Sequence, residues 1–234
     1  MGRFLLDFGK LFIGLFLYGV GIVCTINANL GLMPWDVFHQ GLGNLLGITM
    51  GQASILVGLV IVLANWLLGE KIGIGTLCNM VFIGLFLDLL MQNNVIPQFD
   101  ALALRILMMF MGLFIIGIAT YFYLSVGWGA GPRDGLMVAL TKRTNKSVRF
   151  IRNSIEVSAV TIGFLLGGSL GLGTLAMALS GGYFIQLAFK LFRFDVKALK
   201  HHYLEDHVRE LSIAFKRKNS EAEIEETSSI KIKG

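Results

Sequence analysis

The sequence predicts an all-α membrane protein made of two internal repeats, with six transmembrane helices and two short half-helices. Three observations carry that expectation. Hydrophobic residues fill 55% of the 234 positions and charged residues only 15%, far from the composition of a soluble domain. Six apolar runs are long enough to cross a bilayer as helices. The chain also matches itself, without a gap, at an offset of 98 residues.

The repeat is anchored by GLMPWD at 31–36 and GAGPRD at 129–134, which align Gly31 with Gly129, Pro34 with Pro132 and Asp36 with Asp134. Upstream, Phe12, Gly14, Leu15, Phe16 and Gly19 fall on Phe110, Gly112, Leu113, Phe114 and Gly117. Downstream, Leu68 and Gly69 fall on Leu166 and Gly167, and GIGTL at 73–77 falls on GLGTL at 171–175. The chain therefore divides into a first membrane repeat (1–98), a second (99–192) and a polar tail (193–234).

In order, the first span is 5–28. Arg3 in front of it and Cys24 near its end suggest a signal peptide, but Asp7 and Lys10 break that layout, and its copy at 104–126 is internal. Next comes the Gly-Pro-Asp break and a short segment, 34–47. At 1.5 Å per residue such a segment covers about 21 Å, short of the ~30 Å hydrocarbon core. It is either a half-helix dipping into the membrane or part of a broken span. Spans 52–69 and 74–91 complete the unit. The second copy supplies 104–126, the short segment 132–142, and spans 149–167 and 174–192. The glycines of GIGT and GLGT permit a tight turn and close packing of the next span, which Thr76 and Thr174 can cap. No lysine follows them, so they are not phosphate loops. Cys24 and Cys78, both in apolar runs, read as packed thiols rather than a disulfide.

Charge sets the topology. Segment 142–152 carries Lys142, Arg143, Lys146, Arg149 and Arg152, a cytoplasmic signal, whereas its counterpart 44–51 has no Lys or Arg. Equivalent loops of opposite character belong on opposite sides, which makes the repeats inverted. Four crossings per repeat, giving parallel copies, is the alternative. It would put 44–51, 92–104 and 142–152 all inside, although the first two lack basic residues. Both arrangements leave the N-terminus and the tail in the cytoplasm.

The tail holds 17 of the 35 charged residues. Leu204, Val208, Leu211 and Phe215 form an amphipathic helical stripe, and 219–234 reads as disordered. His201, His202 and His207 are solvated there and lack a ligand set for zinc.

The candidate site lies at the two breaks. Pro34 and Pro132 suit the first turn of a helix, and Gly31, Gly129 and Gly131 supply the turn before it. Asp36 and Asp134 then fall in the first turn, where a carboxylate caps free N–H groups. Two helix N-termini facing one mid-membrane cavity, as in broken-helix transporters, is the functional alternative to simple capping. Arg133 needs a partner: Asp134, Glu156, or the carboxylate or phosphate of a substrate. Trp35, its repeat equivalent, either packs or stacks on a planar ligand. Glu156 pairs with Arg152 one turn earlier or acts in a site. His39 shares a face with Asp36, as a proton-linked pair or as polar lining with Gln40 and Asn44. Asp88 and Lys190 sit near span ends, within reach of headgroups.

These residues resemble a family. GLMPWD and GPRDGLM, each followed by a GxGT turn, look like the YczE/YyaS/YitT group of bacterial integral membrane proteins and its YczE branch. The similarity covers about 5–192, and it implies a small bacterial inner-membrane protein often suspected of transport. It supplies no catalytic residue. The expected function is secondary transport of a small polar or anionic organic solute, because helix N-termini and a buried Arg favour negative charge. The rival is a non-transporting accessory or scaffold that anchors a cytoplasmic enzyme through the basic loop and tail. No Ser/His/Asp set or HExxH motif is present, so neither an enzyme nor a metal or cofactor site is expected. The expected partners are the lipid bilayer and the solute; a homo-oligomer is compatible, and the small basic excess excludes nucleic acid.

Overall fold

A computed structural model describes residues 2–195, with side chains from Leu5 onward. The amphipathic stripe, the tail histidines and the segment 219–234 lie outside the described residues. All regular structure among the described residues is α-helical: α1 (Gly2–Asn27), α2 (Pro34–Leu46), α3 (Met50–Leu67), α4 (Ile74–Gln92), α5 (Leu102–Leu124), α6 (Pro132–Thr144), α7 (Val148–Leu165) and α8 (Leu172–Leu191). The limits of α2 and α6, and of α3 and α7, differ by 98 at both ends.

Local chemistry sets these limits. Pro34 and Pro132 open α2 and α6, where a missing N–H costs nothing. Gly47 and Asn145 close them in the left-handed conformation (φ 67° and 53°). Thr49 starts α3 with a reciprocal capping box to Gln52, and Ser147 caps α7 through the Phe150 N–H.

Five helices are long and apolar enough to cross a membrane: α3, α4, α5, α8 and, within α1, Leu5–Asn27. The expected sixth, α7, has 18 residues but carries Arg149, Arg152 and Glu156, which interrupt its apolar run.

The core forms where α1 crosses α5. Gly14 packs against Ala119–Tyr123 and Gly21 against Gly112–Ile116, so the two helices run antiparallel. A Cβ on Gly21 would lie 2.9 Å from the Gly112 carbonyl oxygen, which fixes glycine at the crossing. α4 runs parallel to α1 through Phe12–Phe82 and Phe16–Phe86 contacts. α8 runs parallel to α5 through Phe110–Phe184 and Tyr121–Phe192. Buried Leu11, Leu15, Ile22 and Val23 of α1 pack with Ile83, Leu87 and Ile116, and Met108, Met109 and Leu113 with Met177.

The short helices bridge the periphery. The C-terminal half of α2 crosses the end of α7, where Asn44 Nδ2 donates to the Gly167 carbonyl (3.1 Å). α6 lies beside the end of α3, where Lys142 pairs with Glu70 (2.8 Å) and Arg143 donates to the Leu68 carbonyl. Segments 44–51 and 142–152 thus sit at opposite ends of α3. Cys24 and Cys78 are free thiols.

Candidate functional site

The two breaks are held by each other's repeat. Gly31 and Gly129 adopt φ 123° and 107°, backbone open to glycine and strained for other residues. A Cβ would meet Thr174 Oγ1 at 2.6 Å in the first and Thr76 Oγ1 at 2.6 Å in the second. The Gly75 N–H donates to the Trp128 carbonyl (2.7 Å) and the Gly173 N–H to the Leu30 carbonyl (2.8 Å). Each GxGT turn is therefore the seat for the break of the other half. Thr76 and Thr174 also accept the Gly73 and Gly171 N–H groups, as the capping expectation required.

Seated this way, the first turns of α2 and α6 face each other, and the helices diverge from that point toward opposite ends of the bundle. Arg133 crosses the gap. Its Nη2 lies 3.2 Å from His39 Nε2, and its guanidinium carbon is 4.5 Å from the centre of the Trp35 ring. His39 and Asp36 are each only 2% exposed, with Nδ1 at 3.5 Å from Asp36 Oδ1. These partners fix the tautomer. Arg can only donate, so Nε2 accepts and Nδ1–H points at Asp36. The result is a relay from buried Asp36 through buried, neutral His39 to partly buried Arg133.

Two sequence expectations are corrected here. Among the described residues, neither Asp36 nor Asp134 accepts a hydrogen bond from the first-turn N–H groups of its own helix. Asp36 faces His39 instead, and Asp134 Oδ2 accepts the Tyr123 hydroxyl at 3.3 Å. Arg133 forms no ion pair with Asp134 or Glu156, because its side chain turns toward α2. Glu156 does take the partner one turn away, with Arg152 Nε at 3.0 Å.

A cavity of about 520 Å³ occupies the meeting point. Trp35, Asp36, His39, Arg133, Asp134 and Glu156 all line it. Tyr18, Asn79, Tyr123 and Arg152 add polar atoms to its wall. Apolar sides come from Val57, Ile83, Ile116 and Met177. Sequence reasoning missed both tyrosines as wall residues. Their repeat equivalents are Ile116 and Thr25, so no internal copy marks them.

The chain matches the model of a family of unknown function, DUF6198, over residues 7–190. It is 36% identical over 179 residues to the uncharacterized membrane protein YczE of Bacillus subtilis, covering 76% of this chain and 82% of that one. An uncharacterized Haemophilus influenzae protein is also 36% identical, covering 75% and 80%. The uncharacterized YyaS of Bacillus subtilis is 26% identical over 75% and 88%. No solved structure matches the chain.

Proposed function

We propose that this chain, which belongs to DUF6198, a family of unknown function, is a secondary transporter of a small polar or anionic organic solute across the bacterial inner membrane. One observation carries the reading. Arg133 stands in the cavity between two helix N-termini, against a neutral histidine and an aromatic face, with no carboxylate at ion-pair distance among the described residues. Such a cation, flanked by positive dipole ends, is suited to a carboxylate or phosphate. The alternative, a non-transporting accessory protein, fits a solid apolar core at this position better than a polar cavity.

In this reading the repeats are inverted copies with six crossings. α1 and α5, related by the 98-residue offset, run antiparallel, and the limits of α2 and α3 recur at that offset in α6 and α7. α7 is the sixth crossing, with Arg152 and Glu156 turned to the cavity rather than to lipid. The start of α1 and the end of α8 share one end of the bundle, where Lys10 lies over Tyr121 and Phe192 stacks on it. That end also carries the basic segment 142–152, a charge pattern that supports a cytoplasmic placement.

The test is thermal unfolding of detergent-purified protein against small carboxylates, phosphates and their neutral amides. Anions raise the melting temperature of the native chain and not of Arg133→Gln. No anion response in the native chain, or an equal response in Arg133→Gln, overturns the reading.

A further inference from the structure

The two repeats close their outer seams differently. α3 and α4 pack antiparallel, with Gly51 on Gly84 and Gly58 on Met80. A Cβ on Gly51 would run into the Gly84 carbonyl, and one on Gly58 would lie 2.7 Å from Met80 Cγ. Asp88 clasps the head of α3: its Oδ1 accepts the Gly51 N–H at 2.8 Å, and its Oδ2 accepts the Thr49 hydroxyl. This carboxylate, which from sequence was expected to reach headgroups, is instead a lock at the 44–51 end.

The equivalent positions of α7 and α8 keep the capping hydroxyl, as Ser147, but lack the carboxylate and most of the small residues of this lock. Arg149 replaces Gly51, Glu156 replaces Gly58, Ala178 replaces Met80 and Gln186 replaces Asp88; Gly182 keeps the place of Gly84. Where a Cβ does not fit, an arginine side chain cannot, so α7 and α8 cannot form the same seam. Accordingly α8 packs along α5 and not along α7. Positions for a Cβ on Gly181 and Gly182 have nothing within 4 Å among the described residues, and both glycines line the cavity with Arg152 and Glu156.

We infer that the cavity is entered through the gap between the N-terminal half of α7 and the C-terminal half of α8, while the Asp88 clasp seals the opposite seam. The inference rests on the transporter reading for its purpose but not for its geometry. Arg152 lines the cavity from α7, exposed Arg149 lies one turn before it, and their positive charge favours anions near the gap. Asp88 is then a gate residue: releasing it from Thr49 and Gly51 frees the head of α3 and opens the cavity at the other end.

The experiment uses the full chain in membrane vesicles of both orientations, with Cys24 and Cys78 replaced by serine. Ala178→Cys reports the cavity, Gly182→Cys the gap, and Asn145→Cys and Asn44→Cys mark the two ends. A membrane-impermeant maleimide is expected to reach positions 178 and 182 from the side that labels 145, and not from the side that labels 44. Asp88→Asn, which loses the charge but keeps an acceptor, and Asp88→Ala are each expected to open position 178 to the second side. Labelling of 178 from the 44 side with Asp88 intact overturns the inference. So does failure of 178 and 182 to label from the 145 side. Unchanged one-sided labelling in folded Asp88→Asn and Asp88→Ala removes the gate role. No solute is involved, so an absent anion response together with the expected labelling sinks the transport reading alone.

Discussion

Arg133 Nη2 lies 3.2 Å from His39 Nε2, although 94 residues separate them and each belongs to a different short helix. The contact works only if His39 is neutral with its proton on Nδ1, facing Asp36. Replacing His39 by leucine leaves buried Asp36 and partly buried Arg133 without that bridge. It is expected to cost about 2–3 kcal/mol, the penalty for unsatisfied buried polar groups. His39→Gln can still offer a donor and an acceptor and is expected to lose less than half as much. Thermal or denaturant unfolding of the two variants checks this, and equal losses would show that the ring only fills space.

Asp134 and Arg133 are neighbours in sequence that point to different partners, Tyr123 and His39. A double-mutant cycle of Arg133→Gln and Asp134→Asn is therefore expected to couple weakly, by less than ~1 kcal/mol. A buried ion pair predicts the opposite pattern: each single change costs ~3 kcal/mol or more and the double change restores much of the loss. Unfolding free energies of the four proteins separate the two cases.

Much of the site was legible in the sequence because the repeat marks it twice. Gly-Pro-Asp breaks stand out from apolar surroundings at 31–36 and 129–134, and the difference between Trp35 and Arg133 draws attention to both. What was not legible depends on contacts between the halves. The direction of Arg133 is set by α2, whose placement follows from the seating of Gly31 on Gly171 and Thr174. The role of Asp88 depends on Thr49 and Gly51, 39 and 37 residues earlier, so position near a span end was a poor guide. Within α7, Glu156 was marked in the sequence as an acid in an apolar run, whereas Arg152 was seen there only as its partner and also proves to line the cavity.

The breaks give a stability test that separates backbone strain from crowding. Gly47 and Gly129 both have positive φ, 67° and 107°, but a Cβ on Gly47 meets nothing within 4 Å. Gly47→Ala is expected to cost ~1 kcal/mol, the left-handed penalty alone. Gly129→Ala adds a clash with Thr76 Oγ1 and the Gly73 backbone, and overpacking of that kind adds about 1–3 kcal/mol. The difference in melting temperature measures how firmly each half seats the other. If Gly129→Ala melts like Gly47→Ala, the seat is soft and the break is held by its own helix.

The last prediction concerns sidedness. α3 has 18 residues. At 1.5 Å per residue it spans about 27 Å, close to the ~30 Å hydrocarbon core. Its head is held by Asp88 and its end lies beside Lys142 and Arg143 of α6. Segments 44–51 and 142–152 are therefore expected on opposite faces of the membrane, with the five basic residues of 142–152 on the cytoplasmic face. Asn44→Cys and Asn145→Cys, each the sole cysteine of its chain, are expected to react with an impermeant reagent from opposite sides. Asn145→Cys reacts only once the cytoplasmic face is exposed. Reaction of both from one side would require α3 to turn back within the bilayer. That would overturn the inverted arrangement and leave the parallel one.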